Sequence, residues 1–165
     1  MSSYSREVIR DLAAGTLPWP QTKRIMSAYK DEDRFFKIIS VYQDRVNWKE
    51  RILLPVGDHL FIVQGKKSRV TKCECGHEFG HYKRNWKLAA NISVRNTKKA
   101  LRELYPNNDI PNPEWMEIRE FLCPTCGTLH EVEACAPGYP IVHDFEPDLE
   151  AFYRDWLKQP LPKEK

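Results

Sequence analysis

Residues 116–134 read Met116-Glu117-Ile118-Arg119-Glu120-Phe121-Leu122-Cys123-Pro124-Thr125-Cys126-Gly127-Thr128-Leu129-His130-Glu131-Val132-Glu133-Ala134. The flanks, Met116 to Leu122 and Thr128 to Ala134, read as two strands of a hairpin, and Cys-Pro-Thr-Cys-Gly is its turn. Two cysteines separated by two residues aim both sulfurs at one point. Gly127 lets the backbone take a positive φ, so that amide N–H groups turn toward sulfur. A second, less regular pair lies upstream, Cys73-Glu74-Cys75-Gly76-His77, with one residue between its cysteines. Two such turns brought together give a closed tetrahedral sulfur site, which favours zinc. One reading takes Cys73, Cys75, Cys123 and Cys126 as the four ligands. The other replaces Cys73 with His77 or His81 and keeps Cys75, because Cys75-Gly76-His77 also fits a knuckle.

Four thiolates leave no open coordination position, so such a site is structural rather than catalytic. An iron–sulfur cluster also takes four thiolates, but the two-knuckle pattern favours zinc. The second pair argues against dithiol redox chemistry at Cys123-Pro124-Thr125-Cys126. Five cysteines, four of them in the pairs, do not make a secreted disulfide framework and point to metal in a reducing compartment. Cys135 is left over as a small apolar residue.

Working outward, 165 residues suit one domain with a real core. The chain is 41% hydrophobic and 30% charged, with 26 basic and 23 acidic residues and a formal charge of +3, too near neutral to argue for nucleic acid. No apolar run approaches the ~20 residues of a membrane span. The start, Met1 to Glu7, has no signal-peptide apolar region, and the cytoplasm is the expected location.

The fold class expected is α+β: a small antiparallel β core with a zinc-ribbon-like two-knuckle site, a helical N-terminal segment and a C-terminal amphipathic helix. Residues 1–45 read as a helical arm suited to lying on another protein, and 46–165 as the zinc-binding β-rich domain. Ser5 caps a helix carrying Val8, Ile9 and Leu12 and stopped at Gly15. Leu17-Pro18-Trp19-Pro20 reads as a stiff extended connector. A second helical stretch carries Ile25, Met26 and Tyr29. Asp31 or Asp33 starts a third, with Phe35, Phe36, Ile38, Ile39 and Tyr42 inward.

Arg51 to Val56 and His59 to Val63 read as buried strands of a hairpin around Gly57-Asp58, compatible with a type II′ turn. Gln64 to Lys72 reads as a polar connector and Trp86 to Val94 as a strand. Asn96 or Thr97 caps a helix with Leu101, Leu104 and Tyr105, ended by Pro106. Asn107 to Pro113 is a loop. Asp148 to Leu157 is the terminal helix, with Leu149, Phe152, Tyr153 and Trp156 on one face. Lys158 to Lys165 is a tail.

The histidines form no catalytic group: His59 falls in a strand, His130 in the knuckle hairpin and His143 in an extended segment. Seven glycines, none grouped, exclude a phosphate loop. Catalytic and cofactor-binding residues are therefore none. Basic residues gather from Lys66 to Arg102 (Lys66, Lys67, Arg69, Lys72, Lys83, Arg84, Lys87, Arg95, Lys98, Lys99, Arg102), with Phe79, Tyr82 and Trp86 among them. That makes a stand-alone zinc-ribbon module for nucleic acid the alternative function, although a solvated or acidic-partner face is the simpler reading.

Several stretches together resemble the acetone carboxylase gamma subunit family. They are Glu117 to Leu129, Glu131-Val132-Glu133, Pro137-Gly138-Tyr139-Pro140-Ile141, Asp144 to Leu149, Leu53 to Leu60 and the Cys-x-Cys-Gly-His element. The small subunit of acetophenone carboxylase is similar too. The resemblance implies a zinc-containing accessory subunit of an ATP-dependent carboxylase that makes acetoacetate from acetone and bicarbonate. It also implies two larger partners, alpha and beta, in a complex with two copies of each chain. ATP and a catalytic metal belong to those larger subunits.

Overall fold

The β1–β2 hairpin organises the first half of the chain. In the computed structural model, which describes residues 4–28, 31–107 and 109–163, β1 (Arg51–Gly57) and β2 (Leu60–Gln64) pair antiparallel. The turn centres on Asp58 and His59, and His59 takes the positive φ of 60°. Gly57 ends β1 instead of opening a type II′ turn, and His59 lies in the turn, not in a strand. Leu60, Phe61, Ile62 and Val63 are all buried, so β2 is covered on both faces.

A register shift between Ile52 and Leu54 marks a bulge in β1. Ile52 and Leu53 are both fully buried, and they enter different clusters. Ile52, Phe61, Val63 and Val70 pack with Ile39, Tyr42, Val46 and Trp48. Leu53, Ile62, Tyr82 and Leu149 form a second cluster, joined by Leu54, Val56 and Leu161. Full burial of each such side chain contributes roughly 1.5–3 kcal/mol.

Residues expected as a polar connector form β3 (Arg69–Cys73), buried throughout. Arg69 and Lys72 bury their stems and pair their charged ends: Lys72 Nζ lies 3.2 Å from Glu50 and 3.3 Å from Glu78. Composition suggested a loop because the pairing acids lie in other segments. β4 (Glu78–His81) completes a sheet of order β1-β2-β3-β4. A 3-10 turn, Trp86–Ala89, and β5 (Asn91–Arg95) divide what reads as one strand from Trp86 to Val94. Thr97 caps α4 as expected; in chain order the helices are α1 (Arg6–Ala13), α2 (Trp19–Ser27), α3 (Arg34–Arg45), α4 (Lys98–Leu104) and α5 (Leu149–Ala151). β6 (Glu117–Leu122) and β7 (Leu129–Cys135) join β5 in a second sheet of order β5-β6-β7.

Ser5 Oγ accepts from Val8 N at the start of α1, and Gly15 ends that turn with φ 69°. Trp19 and Pro20 are not an extended connector. They form the first turn of α2, where proline's missing N–H leaves no bond unmade. Tyr29 lies outside the described residues. In α3, which Asp33 precedes at the N-cap position, the expected Phe35, Phe36, Ile38, Ile39 and Tyr42 are half-buried, while Val41 and Arg34 are the buried residues. Arg34 Nε binds Asp31 at 2.6 Å.

α5 runs into a π-helical turn, Phe152–Trp156. The wider turn breaks the expected stripe. Leu149 and Tyr153 are buried and Tyr153 Oη donates to the Leu53 carbonyl at 2.9 Å, but Trp156 is 80% exposed.

Candidate metal centre

Each sheet ends in a knuckle, and the two knuckles face one another. In the first, Cys73 N donates to His77 O and Gly76 N to Cys73 O, both at 2.8 Å. In the second, Cys123 N donates to Thr128 O at 2.8 Å and Gly127 N to Cys123 O at 2.9 Å. The scheme is the same despite the unequal spacing. Gly76 at φ 102° and Gly127 at φ 72° occupy the left-handed region that a β-carbon disfavours. The backbone amides of Cys75, His77 and Thr128 donate to the sulfurs of Cys73, Cys75 and Cys126 respectively. This is how a knuckle stabilises negative sulfur.

The structure brings all four sulfurs of the two pairs together. Their Sγ atoms lie within 4.8 Å of one another. Cys73 Sγ to Cys126 Sγ and Cys75 Sγ to Cys123 Sγ are each 3.7 Å. Four thiolates on a tetrahedral zinc at Zn–S about 2.3 Å have S···S edges of about 3.8 Å, so the residues present fit the ion. A soft, closed set of four thiols is also the donor chemistry that zinc prefers. Neither His77 nor His81 belongs to the group. His77 Nδ1 is 2.9 Å from Thr125 Oγ1, which ties the first knuckle to the second. His81 Nδ1 accepts from Lys83 N at 3.2 Å.

Each knuckle has one buried and one exposed cysteine: Cys73 and Cys123 inside, Cys75 and Cys126 outside. Burial pushes the Cys73 thiol well above its ordinary range and raises Cys75 as well. Cys126 goes the other way, to about 6, chiefly through the hydrogen bond to Thr128 Oγ1 at 3.1 Å. Cys135 stands apart, half-buried and free, its thiol raised by burial.

Glu74, between the first pair, is held from three sides. His59 Nδ1 lies 2.5 Å and Arg45 Nη2 3.3 Å from its carboxylate, and Trp48 Nε1 donates to its carbonyl at 3.0 Å. The short knuckle is thus wedged against the β1–β2 turn and the end of α3. Cys73, Cys123, Leu60, Phe79, Trp86 and Phe121 form the cluster that joins the two sheets.

A second polar cluster, not anticipated, backs the centre. Lys87 has no exposed side-chain surface, and its Nζ meets Glu131 at 2.6 Å, Glu133 at 2.5 Å and Asp144 at 3.0 Å. Burial opposes its charge, but the hydrogen bonds it donates to the three carboxylates outweigh burial and raise its pKa. Glu131-Val132-Glu133 carries the one signal in sequence: positions i and i+2 of a strand share a face. Nothing local marks Lys87 or Asp144 as their partners.

Of the basic stretch, Lys66, Lys67, Lys83, Arg84, Lys98, Lys99 and Arg102 are exposed. Lys72, Lys87 and Arg95 are ion-paired, and Phe79, Tyr82 and Trp86 are buried. Among the described residues no helix is long and apolar enough to cross a membrane.

Residues 46–157 match the family model described as acetone carboxylase gamma subunit. The acetone carboxylase gamma subunit of Xanthobacter autotrophicus (strain ATCC BAA-1158 / Py2) is 45% identical over 163 residues, 98% of this chain and 97% of that one. The acetophenone carboxylase beta subunit of Aromatoleum aromaticum (strain DSM 19018 / LMG 30748 / EbN1) is 42% identical over 41 residues, 25% of this chain and 32% of that one.

Proposed function

Since this chain belongs to the acetone carboxylase gamma subunit family, we propose that it is the zinc-binding accessory subunit of a cytoplasmic ketone carboxylase. The holoenzyme joins acetone and bicarbonate at the expense of ATP to give acetoacetate. Two larger subunits, alpha and beta, bind ATP and a catalytic metal and do the chemistry, in an assembly with two copies of each chain. This chain contributes structure and assembly. Its residues 1–45 are a helical arm, seated on the first sheet through Ile39 and Tyr42 and offering its outer surface to partners, and 46–165 carry the metal.

The observation that carries the reading is identity over nearly the full length of both chains. It is supported by a donor set with no open position. Cys73, Cys75, Cys123 and Cys126 hold the zinc, with two ligands from each sheet. The ion, when bound, supplies a fixed tetrahedral crosslink, and the knuckle amides and Thr128 offset the charge on sulfur. His77 and His81 are not ligands in this account.

Affinity purification of the full chain from its own cells tests the reading. The expected result is co-elution with two larger chains, together with acetone consumption that requires both bicarbonate and ATP. A stable monomer with no carboxylase partner overturns it.

A further inference from the structure

The segment that follows the π turn is seated on the first sheet. Arg69 Nη2 of β3 donates to the Pro162 carbonyl at 3.1 Å. Leu161 packs against the cluster of Leu53, Ile62, Tyr82 and Leu149. Lys158 leaves the π turn with φ 54°, and Gln159 N donates to Tyr153 O at 3.0 Å. The backbone that carries Lys158 and Lys163 is therefore held, and their ammonium groups are presented from a fixed base.

Two open grooves meet at Lys163. One, of about 580 Å³, is lined by Arg69, Arg154, Lys158 and Lys163, with Glu150 as its carboxylate. The other, of about 830 Å³, is lined by Lys49, Arg51, Lys66 and Lys163, with Glu50 as its carboxylate. Among the described residues, four cations thus face one carboxylate in each groove, on a chain whose whole formal charge is only +3.

Little within the chain neutralises this strip. Glu50 is engaged by Lys72 at 3.2 Å, and Glu150 reaches Arg69 only at 4.0 Å. Arg154 pairs with its neighbour Asp155 at 2.8 Å. Lys49, Arg51, Lys66, Lys158 and Lys163 are exposed and make no ion pair among the described residues. Like charges held side by side repel, and a cleft lined by one sign focuses its field outward. A ligand that brings several carboxylates relieves that repulsion.

Size and lining choose the occupant. Together the grooves exceed the ~300–1,000 Å³ of a small-molecule site, so a single small anion would leave most of the strip bare. Among the described residues no aromatic side chain lines either groove, so single-stranded nucleic acid finds no stacking platform. Pro160, Leu161 and Pro162 put apolar surface among the cations, which suits a polypeptide.

We propose that this basic strip docks an acidic, extended segment of one of the larger subunits, with Lys66, Lys158 and Lys163 meeting its carboxylates; the inference rests on the subunit reading above.

The test uses the full chain co-expressed with the larger subunits. Carbodiimide joins a lysine amine to a carboxylate in direct contact. In the wild-type complex it is expected to link Lys66, Lys158 or Lys163 to an aspartate or glutamate of a larger subunit. Reversing the three charges together (Lys66→Glu, Lys158→Glu, Lys163→Glu) should weaken association at least about tenfold at ~0.15 M salt. The chain's own unfolding midpoint should stay in place. The same charge change on α4 (Lys98→Glu, Lys99→Glu, Arg102→Glu) should leave association unchanged. A wild-type complex without crosslinks from the strip overturns the proposal. So does a strip variant that assembles as tightly as wild type, an equal loss in the α4 variant, or a loss of duplex DNA binding with subunit assembly intact. Each of these leaves the subunit reading standing, whereas a wild-type chain that co-elutes with no larger subunit ends both.

Discussion

The two knuckles share one hydrogen-bond scheme and differ in what surrounds them. The first has one residue between its cysteines and is braced by His59, Arg45 and Trp48 through Glu74. The second has two residues between its cysteines and is held by a local contact, Thr128 to Cys126, and by Thr125 to His77 of the first knuckle. An irregular turn thus reaches the same endpoint as a regular one, because the surrounding fold holds it in place. Burial follows the same logic. Each knuckle sends one sulfur into the cluster between the sheets and leaves the other at the surface.

The largest effect should come from the inner sulfurs. Cys73→Ser or Cys123→Ser is expected to lose zinc and most of the folded population, since structural zinc carries apparent binding energies of ~10–16 kcal/mol. Metal analysis and thermal unfolding check this, and full zinc in either variant breaks the assignment.

Next comes the cage behind the centre. Lys87→Met leaves three carboxylates facing one another and should destabilise the chain by about 3–5 kcal/mol. The acids of the cage act in opposite directions: burial raises Glu131, whose contribution grows as pH falls. Asp144 is half-exposed, and the hydrogen bond from Lys87 outweighs its partial desolvation and lowers its pKa. Its contribution is present above the ordinary carboxylate range and is lost as pH falls below it. Lys87 is raised, so its contribution is complete below the ordinary lysine range and is lost only in strongly alkaline solution. In Lys87→Met the order reverses: mutual repulsion favours protonation, and acidification from pH 7 should recover stability. Denaturant titrations at pH 5 and 7 decide, and a variant less stable at pH 5 contradicts the cage.

Smaller changes separate the knuckles more finely. Thr128→Val removes the hydroxyl that pulls Cys126 down to about 6. Outer hydrogen bonds to metal ligands are typically worth 10–100-fold in affinity, so competition with a chelator should show zinc released at least tenfold more readily. His77→Ala should keep one zinc per chain and lose about 1 kcal/mol with the Thr125 bond. Loss of zinc would place His77 in the ligand set. Trp156→Ala, at an 80% exposed position, should change the chain's own stability by no more than about 0.5 kcal/mol.

What could be read in advance follows the reach of each interaction. The second knuckle and its strands were legible because Cys123 to Gly127 and both flanks are contiguous. Ser5 and Thr97 were legible as caps, since a cap acts three residues away. β3 was not, because Arg69 and Lys72 look like solvent-facing residues until Glu50, Glu78 and Glu150 come from elsewhere. Lys87 was hidden for the same reason, its partners lying 44 to 57 positions away. Trp156 was placed inward by an even helical period, and the π turn carries it out. At the centre the residue types indicated a metal, but the choice between Cys73 and His77 needed the sulfur positions.

X-ray absorption at the zinc edge of the purified chain tests that choice most directly. The account predicts four sulfur neighbours at about 2.3 Å and no imidazole scattering. Three or fewer sulfurs with a histidine contribution would contradict it.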